Sequence, residues 1–240
     1  MRYLMLVRVP DDASPTPEQA DPSVWYAEAV RRGQHLRGER LRPPSDATTV
    51  RRWGPSLTVT HGPFVEVTEQ IVGFDLLEVQ SPEEAVAVAA GHPVAAFGAL
   101  ELRELWPHDS TDGDWVPAPG ETEGDLLPGE SSYVLLMAGV PGAPTEEPEG
   151  APTMADWLAE AERRDADRGG SPLRTPEEAV TVRVRDGQTV LTHGPYAELA
   201  EQVYGYQLLD APDLDAALEL AGSHPAAALG AIEIRPLWPI

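Results

Sequence analysis

Hydrophobic positions along this chain fall into short blocks whose spacing predicts strands and helices in turn. Tyr3 to Val7 is continuously apolar. That predicts a strand covered on both faces, since a strand with one wet face alternates. Asp21-Pro22 supplies an N-cap and a proline for the first helical position, Trp25 and Ala29 follow one turn apart, and Gly33 stops the pattern. The reading is a helix to about Arg32. Thr48 to Trp53 and Ser56 to His61, around Gly54-Pro55, predict a hairpin. Val72 to Val79 reads as the next strand, and Ser81-Pro82-Glu83-Glu84 opens an Ala/Val-rich helix that Gly91-His92-Pro93 breaks. Ala99 to Trp106 closes the series, with Leu100 and Leu102 on one face and Glu101 and Arg103 on the other. Residues 10–20 and 34–47 show no period and read as loops.

The whole series then occurs again. His61-Gly62-Pro63-Phe64 returns as His193-Gly194-Pro195-Tyr196, and Leu105-Trp106-Pro107 as Leu237-Trp238-Pro239. Tyr133 matches Tyr3, Trp157 matches Trp25, and His224-Pro225 matches His92-Pro93. In the second hairpin Val180, Val182 and Val184 alternate with Thr181, Arg183 and Arg185 before the tight-turn pair Asp186-Gly187. Residues 1–107 and 131–240 are therefore two copies of one unit, joined by an acidic Pro/Gly-rich linker over 108–130 that holds a lone Trp115. Strand, helix, strand pair, strand, helix, strand is an α+β, ferredoxin-like split βαβ pattern with an extra hairpin. Two helices cover one face of such a sheet, so the two sheets are expected to pack face to face within the chain.

Composition removes several classes of function. The net charge is −23, divided as −5 over residues 1–107, −7 over the linker and −11 over 131–240, which repels phosphate backbones. No nucleic-acid partner is expected. An Arg group (Arg31, Arg32, Arg37, Arg40, Arg42) could face an anion locally or serve as a solvated face. Cysteine is absent, so disulfides, thiolate metal sites and cysteine nucleophiles are excluded. No apolar stretch has the length of a membrane span, and Met1 to Val9 lacks a signal-peptide layout; a cytoplasmic protein without membrane contact is expected. Neither a phosphate-binding glycine loop nor a nucleophile elbow is present.

The repeated motifs resemble the YCII-related family, and in particular its branch carrying an Asp-Gly-Pro-Phe motif. Here that motif reads His61-Gly62-Pro63-Phe64 and His193-Gly194-Pro195-Tyr196. The downstream Glu-Gln-x-x-Gly-aromatic segment and the closing Glu101/Arg103 and Glu233/Arg235 agree as well. The resemblance implies a dimeric α+β barrel, built here from one chain as a monomeric pseudo-dimer. It also implies a His–Asp dyad in some members, from the first helix and an Asp-Pro pair. This sequence departs there: Trp25 and Trp157 stand on the helix, and His92 and His224 precede the prolines.

The candidate catalytic residues are His61, Glu69 and His92 in the first copy and His193, Glu201 and His224 in the second. An imidazole oriented by a carboxylate can move protons at neutral pH. His61 and His193 are read as base or acid, Glu69 and Glu201 as their orienting groups, and His92 and His224 as groups that polarise a substrate. Each also has a structural reading, as a turn cap or as a histidine at a helix C-terminus. Glu66 and Glu198 add carboxylates, but no two-on-one-face ligand spacing exists, so neither metal nor cofactor is expected. In a closed double sheet Glu101/Arg103 and Glu233/Arg235 are expected to pair across the interface, the alternative being that they line a polar cavity. Two functions follow: an acid–base enzyme acting on a small molecule in a cleft of each half, or a non-catalytic module that binds a ligand or a protein. The unlike loops at 10–20 and 141–152 allow one of two sites to have been lost.

Overall fold

A computed structural model describes residues 1–65, 67–106, 132–142, 152–196 and 201–238. The linker with Trp115, together with Glu66 and Glu198, lies outside the described residues. The first half runs β1 (Arg2–Pro10), α1 (Pro17–Ala20), α2 (Ser23–Arg31), β2 (His35–Arg40), β3 (Thr48–Trp53), β4 (Ser56–His61), β5 (Glu69–Glu78), α3 (Pro82–Gly91) and β6 (Ala99–Glu104). The second runs β7 (Ser132–Gly139), α4 (Met154–Arg163), β8 (Asp167–Pro172), β9 (Val180–Arg185), β10 (Gln188–His193), β11 (Gln202–Asp210), α5 (Leu214–Ser223), α6 (Ala226–Leu229) and β12 (Ala231–Pro236).

These elements form two six-stranded antiparallel sheets, ordered β10-β9-β6-β1-β5-β2 and β4-β3-β12-β7-β11-β8. The α+β, two-repeat ferredoxin-like reading holds. Each sheet takes four strands from one repeat and its outer hairpin from the other. In the first, Leu100 on β6 pairs with Val182 on β9; in the second, Ile232 on β12 pairs with Val50 on β3. The compact units accordingly cross the sequence repeats. Unit 1 is Met1–Leu41, Glu66–Trp106 and Leu173–Glu198; unit 2 is Arg42–Val65, Pro107–Pro172 and Leu199–Ile240.

In unit 1 the face of β1 carrying Tyr3, Met5 and Val7 packs with Ala85, Val88 and Ala89 of α3 and with Leu100, Leu102 and Val182. Leu4 and Leu6, on the other face, are equally buried, as the unbroken apolar run predicts. In unit 2 the helix-side core gathers Leu135, Met137, Trp157, Leu220, Ile232 and Ile234, with Val50 supplied by the exchanged hairpin. The Asp186-Gly187 turn has φ of 52° and 72°, the positive pair that a two-residue hairpin turn requires. Among the described residues no helix is long and apolar enough to cross a membrane.

Two loop expectations are corrected. Residues 17–20 form a short helix under a Thr16/Gln19 capping box, a local hydrogen-bond device rather than a hydrophobic one. Residues 35–40 form β2, an edge strand paired with β5. Its sequence, His-Leu-Arg-Gly-Glu-Arg, has no apolar alternation because the buried positions are an ion pair, Arg37 Nε to Glu39 at 2.8 Å. The helix start shifts too: Pro22 is the N-cap of α2, while Asp21 accepts from the Ser23 N–H at 2.9 Å.

Candidate functional site

The predicted histidines occupy two unlike settings. His61 and His193 end the edge strands β4 and β10 and are exposed. By register His193 lies opposite Val180, so it points away from the face that carries Thr181 and Arg183. His61 also falls in a different unit from Glu69, and His193 in a different unit from Glu201. The glutamates instead take arginines from exchanged hairpins. Glu69 pairs with Arg183 at 2.7 Å in unit 1, and Glu201 pairs with Arg51 in unit 2.

His92 and His224 are buried and hold structure. The Nδ1 of His92 accepts from the Val94 N–H at 3.2 Å, and that of His224 from the Ala226 N–H at 3.1 Å. Each ring stands edge-on to a tryptophan, Trp25 on α2 and Trp157 on α4, with centroids 4.6 Å apart for Trp25–His92 and 4.7 Å for Trp157–His224. Burial lowers the pKa of both; His224 falls to about 4, while the charge of Asp75 partly offsets the shift at His92. A neutral imidazole that accepts at Nδ1 carries its proton on Nε2, and among the described residues no carboxylate is hydrogen-bonded to either ring.

Two polar groupings that the sequence did not reveal lie in unit 1. On the helix side, His35 Nε2 meets Asp75 Oδ1 at 3.0 Å, with side chains 4% and 11% exposed. The rings of Trp25 and Tyr26 stand edge-on to that imidazole. The matching pair in unit 2 is Gln207 and Asp167, joined at 2.5 Å, so the acid–base pair exists in one unit only.

The opposite face of the sheet carries the second grouping. Arg8 places Nε and Nη2 on Glu101 Oε2 at 2.8 and 2.7 Å, with both side chains 5% exposed or less. Arg103 reaches the other oxygen of Glu101 at 3.5 Å and donates to the Arg174 carbonyl at 3.0 Å. The Arg8 guanidinium carbon lies 4.4 Å from the centre of the Tyr196 ring, and that of Arg183 lies 5.6 Å from it. Burial raises the Tyr196 phenol above its ordinary value; its hydrogen bond to Glu69 and the charge of that carboxylate add to the rise, and Thr68 and Arg8 oppose it. Exposure climbs outward, from 1% at Glu101 through 15% at Glu69 to 24% at Arg183. The charged groups thus run from the buried sheet face to solvent. The arrangement can hold an anion, and through Tyr196 and Glu69 it can pass a proton.

Glu101/Arg103 and Glu233/Arg235 pair along their own strands, at 3.5 and 2.9 Å, rather than across an interface between the sheets, because residues two apart on a strand share a face. The arginine group does not converge: Arg31 and Arg32 pair with Glu28, Arg37 with Glu39, and Arg42 with Asp46. Among the described residues no three His, Asp or Glu side chains come close enough to hold a metal ion. One signal did point to this face: Arg8 interrupts an apolar strand, and the second repeat has Ala138 there.

Comparison with known proteins agrees with the repeat. The family model of the YCII-related domain matches residues 1–109 and again 131–240. A curated relative, "Uncharacterized protein R00369" of Rhizobium meliloti (strain 1021), is 41% identical over 61 residues, 25% of this chain. The match spans about half of that relative, 49% of its length.

Proposed function

The chain belongs to the YCII-related family in both of its halves, and on that premise we propose that it is a small-molecule acid–base enzyme whose working site lies in unit 1. The observation that carries the reading is the Tyr196 ring set against Arg8 at 4.4 Å while its phenol is bonded to Glu69. A phenol with a raised pKa is protonated at neutral pH and serves as a proton donor. The phenol proton passes to the substrate, Arg8 and Arg183 stabilise the phenolate left behind, and the Glu69 carboxylate takes a proton from the substrate and passes it along its hydrogen bond to restore the phenol. Unit 2 has Phe64 at the place of Tyr196 and Ala138 at the place of Arg8, so it lacks both the donor and its cation. Its role in this reading is structural. The working state is a cytoplasmic monomer.

Proton exchange tests this. The full chain is incubated in D2O with a panel of acidic, aromatic and lactone-type metabolites, and deuterium uptake is followed by NMR beside thermal shift. A compound that stabilises the protein and gains deuterium with wild type but not with Tyr196→Phe is the expected result. A panel with no exchange above buffer would sink the enzymatic reading. Binding without exchange would favour the second reading, a ligand-binding module. That reading draws on Trp25 and His92 occupying the positions of the family dyad, with His92 Nδ1 engaged by a backbone N–H.

A further inference from the structure

The two units treat one threonine differently. Thr181 lies directly opposite Glu101 across β9 and β6, and Thr49 lies directly opposite Glu233 across β3 and β12. In unit 2, Thr49 Oγ1 donates to the Gly62 carbonyl at 2.8 Å, and the Phe64 N–H donates to Glu233 Oε2 at 3.0 Å. The motif loop there bonds both the threonine and the glutamate. In unit 1, Arg8 occupies Glu101 Oε2, and Thr181, 1% exposed, leaves its hydroxyl without a hydrogen-bond partner among the described residues. Both bonds from Arg8 to Glu101 use Nε and Nη2; among the described residues its Nη1 donates to none.

A buried hydroxyl without a partner costs its full desolvation, and native structures rarely retain one with no use for it. Here it sits on the strand next to a carboxylate that carries a guanidinium with an unused edge. A hydroxyl and a guanidinium N–H are the pair of donors that suits the two oxygens of a carboxylate. Repulsion is limited, because Glu101 is shared between Arg8 and Arg103, and Glu69 is paired with Arg183. We infer that unit 1 binds a small organic carboxylate, one oxygen accepting from Thr181 Oγ1 and the other from Arg8, with the rest of the ligand toward the Tyr196 phenol. This names the substrate class for the acid–base site and rests on that reading. Substitution of Ala138 for Arg8 in the second repeat confines it to one site per chain.

The test uses acetate, benzoate and succinate against their neutral amides, at fixed ionic strength, with saturation-transfer NMR and calorimetry on the full chain. Wild type is expected to bind at least one carboxylate, with its amide weaker by about tenfold or more. Thr181→Val should raise the melting temperature of the free protein, because it removes an unpaired buried hydroxyl, and should weaken that carboxylate about tenfold. Thr181→Ser, which keeps the hydroxyl, should restore binding. Arg8→Ala, which copies the second repeat and so keeps a fold the chain already supports, should lose it. Equal affinity in wild type and Thr181→Val, or no binding by any of the three acids, would overturn the inference. If neutral metabolites exchange deuterium while carboxylates fail to bind, the carboxylate seat falls and the acid–base reading stands. If carboxylates bind through Thr181 and nothing exchanges, the seat stands and the enzyme reading falls.

Discussion

Trp157 donates its indole N–H to the Leu220 carbonyl at 2.8 Å, and Trp25 does the same to Val88 at 2.9 Å. The bonds tie α4 to α5 and α2 to α3. Trp157 is 2% exposed, so its removal opens a cavity as well as orphaning a carbonyl. Trp157→Ala should cost about 3–5 kcal/mol, and Trp157→Phe less, since most of the ring volume is kept. Urea denaturation followed by circular dichroism measures both; equal losses would mean that volume plays no part.

His224 sets a pH dependence. Its folded pKa, about 4, lies below the unfolded value of 6.5, because burial disfavours the cation. Above about pH 7.5 both states are neutral and its contribution is complete. As pH falls the unfolded state takes up the proton first, so stability drops, and the drop ends once the folded imidazole titrates. Between pH 6.5 and 5 the loss should be about 1.5 kcal/mol. His92, shifted in the same direction, adds to it. His224→Asn keeps an acceptor for the Ala226 N–H and has nothing to titrate, so its stability should change less over that window. An unchanged slope in denaturation midpoints would refute the assignment.

Gly38 makes room for the His35–Asp75 pair. A Cβ there would sit 2.3 Å from Asp75 Oδ1 and 2.8 Å from His35 Nε2. Gly38→Ala should therefore destabilise by about 1–3 kcal/mol despite the reduced freedom of the unfolded chain, which alone would favour alanine. A stabilised variant in thermal or urea melts would show that the pair can move aside.

Exchange of the hairpins makes a further expectation specific. In a fragment of residues 1–107, β3 and β4 have lost β12, the strand on which they pair, while β6 has lost β9. Since β6 is the repeat counterpart of β12, two fragments can satisfy each other by the same exchange. Light scattering should give a dimer for the fragment and a monomer for the full chain. A well-folded monomeric fragment would show that the hairpin can fold back on its own repeat.

The sequence by itself determined the tandem repeat, the α+β class, most strands and helices, and the polar face of the closing strands. These are consequences of local periodicity and capping, which lie within a few residues of their cause. It did not reveal β2, because the buried side chains there are charged and their neutralisation by each other leaves no hydrophobic period. Nor could it place the hairpins: β3 and β9 look alike to either sheet, and pairing between segments far apart in the chain is a property of the assembled fold. That decision moved Glu69 away from His61 and onto Arg183 and Tyr196, so the predicted His–Glu pairs gave way to an Arg–Tyr–Glu grouping. Arg8 and Thr181 were visible as residues, but their meaning depends on β6 lying between them. Only the tertiary structure decides which polar groups are bonded and which are left with a donor to offer.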